Sequence, residues 1–161
     1  MQHPRIKIYK TDAMTDHSNR QIVTKRILNA GRTTVFSAWT NPELLAQWWG
    51  PAGFTNNFDE FDFKPGGKWK FTMHGPNGGH YPNESSFIEI TIPERIVLRH
   101  VSKPHFQLIV QFEEINESKT LLIFQQLFDT VEEYNKVKTF AVDANEENMD
   151  RLESVIKQIK V

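Results

Sequence analysis

The sequence predicts an α+β domain, in which a curved antiparallel sheet of about seven strands carries two short helices near its start and one long C-terminal helix. Three observations predict it. Apolar and polar residues alternate through a series of short segments between Phe54 and Phe128. On either side of that series the apolar residues recur at three and four, as on one face of a helix. The segments are joined by links far shorter than the dozen or so residues that a parallel return needs, so consecutive strands pair antiparallel.

A chain of 161 residues falls within the range of one domain and buries enough surface to fold without a covalent staple. The 19 Lys and Arg residues are dispersed among 20 Asp and Glu, giving a net charge of −1. Nucleic-acid binders concentrate positive charge on one face, so nucleic acid is not an expected partner. The absence of cysteine removes a disulfide framework, a thiolate nucleophile and a Cys-type zinc site, and fits a reducing compartment. The stretch "MQHPRIKIYKTDAMTDHSNR" lacks the apolar centre of a secretory signal, and no window approaches the roughly 20 apolar residues of a membrane span. The expected location is the cytoplasm. Asn83 and Asn116 open Asn-x-Ser triplets, which carry no weight without an export signal.

Taken in order, residues 1–18 are polar, with only Ile6, Ile8 and Tyr9 alternating, and read as an N-terminal arm; 19–161 read as a single domain. "QIVTKRIL" is a strand rich in β-branched residues. In "NAGRTTVFSAWT", Val35, Phe36 and Trp39 stand at helical spacing. "TNPELLAQWW" offers Thr40 or Asn41 as N-cap and Pro42 in the first helical position, where its missing N–H costs nothing. Gly50-Pro51 stops that helix. "FDEFDFK" and "KWKFTM" flank Pro65-Gly66-Gly67 and form a hairpin, with Trp69, Phe71 and Met73 on one face. "HGPNGGHYPN" reads as a loop from its Gly, Pro and Asn content. Four more strands follow: "SSFIEITI", "RIVLRHV", "FQLIVQFEEI" and "TLLIFQQLF". From Thr130 onward the text is helical, with Glu132 and Glu133 in the first turn, Leu152, Val155, Ile156 and Ile159 forming a stripe, and "AVDANEEN" a candidate kink.

A twisted sheet of this size curls and presents one concave apolar face. The apolar stripe of the last helix needs cover as well, so the two are expected to pack on each other. The order of elements is similar to the helix-grip fold of the birch-pollen-allergen-like and START-like (SRPBCC) superfamily. Three blocks, "FSAWTNPELLAQWWGP", "FDFKPGGKWKF" and "FIEITIPERIVLRH", narrow the resemblance to the family named for the activator of the heat-shock-protein-90 ATPase, in its stand-alone bacterial form. The likeness covers roughly residues 20–159. That family often carries Gly-Trp shortly before the "MDRLE" stretch, where this chain has Ala144-Asn145, so the chamber is expected to be re-shaped.

The resemblance implies a cavity between sheet and long helix that accepts an apolar or amphipathic small molecule. The residues expected to line it are Trp48, Trp49, Trp69, Phe71, Met73, Phe87, Val110, Phe112, Phe124, Gln126, Phe128 and Phe140. Trp48 and Trp49 are expected where the short helices close one end, one in the core and the other bordering the ligand. Polar residues within apolar strands are where chemistry could enter: Glu89 between Ile88 and Ile90, His100 ending "RIVLRH", and Gln126. A carboxylate facing the chamber would have its pKa raised by desolvation and could act as a general acid or base. The three form no recognisable catalytic set, and an exposed strand face is the plainer reading of Glu89.

His74 and His80 flank "GPNGG", yet a metal would need a further ligand, and Asp59, Glu60 and Asp62 alternate in face. No metal and no cofactor is therefore expected. The Gly-rich loop lacks the Gly-Lys-Ser/Thr ending of a phosphate cradle. Three functions rank in this order: a small-molecule binder, a cyclase- or hydratase-like enzyme acting in the same cavity, and a co-chaperone-type protein-interaction domain with a chaperone partner.

Overall fold

The computed structural model describes residues 19–159. The N-terminal arm expected at 1–18 lies outside the described residues. The elements are β1 (Gln21–Leu28), α1 (Arg32–Thr40), α2 (Pro42–Trp48), β2 (Thr55–Phe61), β3 (Lys68–His74), β4 (His80–Thr91), β5 (Arg95–His100), β6 (Phe106–Asn116), β7 (Lys119–Phe128) and α3 (Val131–Ile159). The strands form one seven-stranded sheet in the order β1-β7-β6-β5-β4-β3-β2, with every neighbouring pair antiparallel. The α+β helix-grip arrangement expected from the sequence is present.

β2 to β7 form a meander, whereas β1 sits beside β7, so the first and second strands occupy opposite edges of the sheet. The chain covers that distance through α1 and α2, which brings both helices onto the concave side: α1 lies against β6, β7 and α3, and α2 against β2 and α3. Asn41, rather than Thr40, caps α2: its Oδ1 accepts from Glu43 N at 3.0 Å, and Pro42 opens the helix. Beyond α2, Gly50 adopts φ +97°, a left-handed conformation that strains residues bearing a side chain, so this turn favours glycine.

β-Bulges between Phe58 and Glu60, Phe87 and Glu89, and Glu114 and Asn116 interrupt the ladders. Each adds local twist and bends its strand, which helps curl the sheet. They also reset the alternation. Phe58 and Phe61, three residues apart, both pack on the core, while Phe87 and Glu89, two apart, take opposite faces. β4 begins at His80, inside the stretch expected to be a loop. Pro82 is tolerated there because β4 pairs on that side only with β3, the β5 ladder reaching no further than Ser85.

α3 runs unbroken through the candidate kink, 29 residues or about 43 Å. Its stripe of Met149, Leu152, Val155 and Ile156 is buried against the concave face, in one cluster with residues of every strand but β2 and of both short helices. A smaller cluster joins Ile22, Phe128 and Ala141. Two arginines fasten the helix. Arg26 on β1 pairs with Glu146, Asp150 and Glu153 at 2.9, 3.0 and 2.5 Å, three carboxylates on one helix face. Arg151 donates to the carbonyls of Gln47, Trp49, Gly50, Pro51 and Phe54 at 2.8–3.2 Å. It thereby closes the C-terminal end of α2, whose last carbonyls lack helical partners and carry partial negative charge. No described helix is long and apolar enough to cross a membrane.

Candidate functional site

Between the concave face and α3 lies one apolar cluster, in which aromatic rings from the short helices and the strands meet the aliphatic stripe of α3. Trp48 is fully buried, and its Nε1 donates to Ala38 O at 2.9 Å, which ties α2 to α1. Trp49, half-buried, is the hub: its ring centroid lies 5.6 Å from Trp48, 5.7 Å from Trp39, 5.0 Å from Trp69, 6.5 Å from Phe71 and 6.3 Å from Phe124. The four tryptophans are thus one contiguous group, mostly edge-to-face, a geometry that suits the ring quadrupole. At this end the protein's own rings fill the interior.

Trp69, Phe71, Phe87, Val110, Phe112 and Phe124 are buried in the same cluster, with Met73 half-buried against it. Phe128 belongs to the smaller cluster with Ile22 and Ala141. Phe140 is corrected. It is 61% exposed, because helical spacing turns it outward while its neighbour Ala141 faces the sheet.

The three polar candidates do not converge. Glu89 is turned to the convex face by the bulge after Phe87, where it pairs with Arg95 Nε at 3.2 Å and accepts from Thr91 Oγ1. His100 is buried on the concave side, stacked on Phe106 with centroids 4.5 Å apart. Its Nδ1 donates to Pro104 O at 2.7 Å, and its Nε2 lies 2.6 Å from the side-chain amide of Asn83 and 3.4 Å from Ser102 Oγ, a hydroxyl that can donate to the neutral ring. Burial, the largest influence, holds its pKa below the ordinary imidazole value. Gln126, half-buried, accepts from Asn145 Nδ2 at 3.0 Å. Where the resemblance implies Gly-Trp, this chain therefore places an amide that reaches from the helix to the sheet.

Sequence reasoning missed Trp39, Phe58, Phe61, Phe63 and Asn148 as interior residues. Asn148 is 5% exposed. A signal existed, since it stands four, seven and eight residues before Leu152, Val155 and Ile156 on the same stripe. Its Oδ1 is buried without a hydrogen-bond partner, as are Nε1 of Trp39 and Nε1 of Trp69. A separate crevice of about 60 Å³, lined by Leu28, Asn29, Glu153, Ile156 and Lys157, is of water scale. Among the described residues no group of three or more His, Cys, Asp or Glu could hold a metal ion.

The profile of the family described as "Activator of Hsp90 ATPase homolog 1-like protein" matches residues 29–157. The chain belongs to that family. Solved structures agree with this Hsp90-activator-like fold. A protein from Arthrobacter aurescens superposes with TM-score 0.81 at 20% identity, covering 89% of this chain and 90% of that one. A protein from Nitrosomonas europaea gives 0.79 at 20%, covering 88% and 96%. An AHSA1-like protein from Aeromonas hydrophila gives 0.71 at 16%, covering 87% and 94%. At such identities the likeness concerns the fold. No curated protein matches the chain.

Proposed function

We propose that this Hsp90-activator-like protein binds a neutral, largely apolar small molecule between the concave face of the sheet and α3. The observation that carries the reading is a set of unpaired polar atoms in an apolar interior: Nε1 of Trp39, Nε1 of Trp69 and Oδ1 of Asn148. A buried polar group left unpaired costs about 1–3 kcal/mol. A guest bearing a hydroxyl or carbonyl group would relieve that cost, and its apolar body would gain about 25 cal/mol for each Å² removed from water. The side chains positioned to yield to it are the half-buried ones packed on the core, Trp49, Met73, Phe58, Phe61 and Phe63 among them. Binding needs no catalytic set, which accords with the dispersal of Glu89, His100 and Gln126.

The test is native mass spectrometry of protein purified without denaturant, followed by titration with the neutral dye N-phenyl-1-naphthylamine. A co-purifying apolar mass, or saturable one-to-one quenching of tryptophan emission that weakens in Asn148→Leu, is the expected result. A clean apo mass together with a dye response that never saturates would overturn the reading.

A further inference from the structure

The β3–β4 hairpin carries a second, independent arrangement. His74 and His80 are direct cross-strand partners at its tip, and the loop between them is held by Gly75 N donating to Gly79 O at 2.8 Å. The two imidazoles meet Nδ1 to Nδ1 at 2.7 Å. On the other side of the His74 ring, Nε2 lies 2.6 Å from Oδ1 of Asn57 on the neighbouring strand β2. An amide oxygen only accepts, so Nε2 carries the hydrogen and the neutral ring presents its lone pair at Nδ1. His80 Nδ1–H then donates to it.

We propose that His74 and His80 form a two-imidazole site for a divalent copper ion, with Asn57 as the positioning residue that fixes the tautomer of His74. Three features point there. The hydrogen bond from the remote ring nitrogen to an amide oxygen is the outer-shell contact that orients metal-binding imidazoles. The spacing also suits one shared ion: two nitrogens each about 2.0 Å from it stand about 2.8 to 3.3 Å apart between the right and tetrahedral angles, and the 2.7 Å hydrogen bond of the metal-free pair already holds both nitrogens near that span. Finally, both imidazole contacts are exposed, so the ion reaches them without opening the fold.

No third His, Cys, Asp or Glu joins the pair among the described residues, so water completes the coordination. A site with few protein ligands favours the ion at the top of the divalent affinity order, which is copper, and this selects it over zinc. Binding exchanges the Nδ1 proton of His80 for the metal, and that ring takes a proton at Nε2 instead. Its charge is unchanged and no electron is transferred.

The test uses the full chain with His3→Ala and His17→Ala, which remove competing imidazoles outside the described residues. Copper(II) is titrated and followed by electron paramagnetic resonance, with spin-echo modulation to count bound imidazoles. One tetragonal copper with two imidazoles is expected. His80→Ala and His74→Ala should each leave one imidazole and weaken binding by roughly tenfold or more, about 1.4 kcal/mol. Asn57→Leu should keep both imidazoles while weakening binding, a split that a merely structural Asn57 would not produce. Circular dichroism checks that each variant folds. A two-imidazole signal that survives His80→Ala, or a parent affinity no greater than that of the H74A/H80A chain, would overturn the assignment.

Discussion

Asn145 Nδ2 donates to Gln126 Oε1 at 3.0 Å, and this one bond joins the middle of the long helix to the concave face of the sheet. Both groups are only half-buried, yet each is the other's partner. Removing one partner leaves the other without its bond, whereas replacing both by apolar groups removes the need. Asn145→Ala should therefore cost about 1–2 kcal/mol in urea unfolding, and Asn145→Leu combined with Gln126→Leu should recover most of that loss. A double-mutant cycle showing additive effects would contradict the coupling.

Arg151 holds five carbonyls from 47 to 54 with one planar fork. Its burial pulls the guanidinium below its ordinary pKa, although a guanidinium remains charged at any physiological pH. A lysine keeps the charge but cannot reach carbonyls on both sides of the turn. Arg151→Lys should lose about 2 kcal/mol or more in chemical denaturation, and amide exchange should rise first in residues 49–54. Unchanged exchange there would show that the turn stands without the arginine.

Trp48 and Trp49 are adjacent in sequence and differ in role. Trp48 is sealed and hydrogen-bonded, so Trp48→Ala should cost about 3–5 kcal/mol and endanger folding at ordinary temperature. Trp49 borders the half-buried rings, and Trp49→Phe preserves an aromatic body there. The expected outcome is a modest fall in Tm with a large loss of the fluorescence response to N-phenyl-1-naphthylamine. Equal loss of response in Trp48→Phe and Trp49→Phe would remove the distinction.

His100 makes stability depend on pH in one direction. Buried and neutral in the fold, it has a pKa below its unfolded value of about 6.5. The unfolded chain therefore gains the proton first on acidification. The contribution is fully present above the unfolded value and is lost as pH falls through the folded one. The urea midpoint should drop as pH falls from 7 toward 5, and His100→Gln, which can still donate to Pro104, should flatten that drop. Asp129 and Glu133 add a second loss at lower pH. The Arg99 hydrogen bond holds the Asp129 carboxyl below its usual range, and the His105 backbone N–H does the same for Glu133. A midpoint independent of pH between 7 and 5 would exclude the His100 contribution.

Local periodicity determined the element types, because side-chain direction follows backbone geometry: three and four for α1 and α3, two for the strands. It carried Trp69, Phe71, Val110, Phe112 and Phe124 to the correct interior, since their strands run unbroken at those positions. It identified Pro42 and Gly50 as helix signals and narrowed the N-cap to Thr40 or Asn41 from local chemistry alone.

Only the tertiary structure decided the rest. A bulge changes which face a residue takes without changing composition, so Phe87 and Glu89 separate although they are two residues apart, and Phe58 joins Phe61 although they are three apart. Phe140 was lost for a related reason: beside a stripe with a 3.6-residue period, one step along the chain turns a side chain from core to solvent. The pairing of β1 with β7, the grip of Arg151 on a turn about a hundred residues earlier and the meeting of His74 with Asn57 are contacts between segments distant in sequence. Local spacing cannot encode them, because they arise only when the sheet curls and brings those segments together.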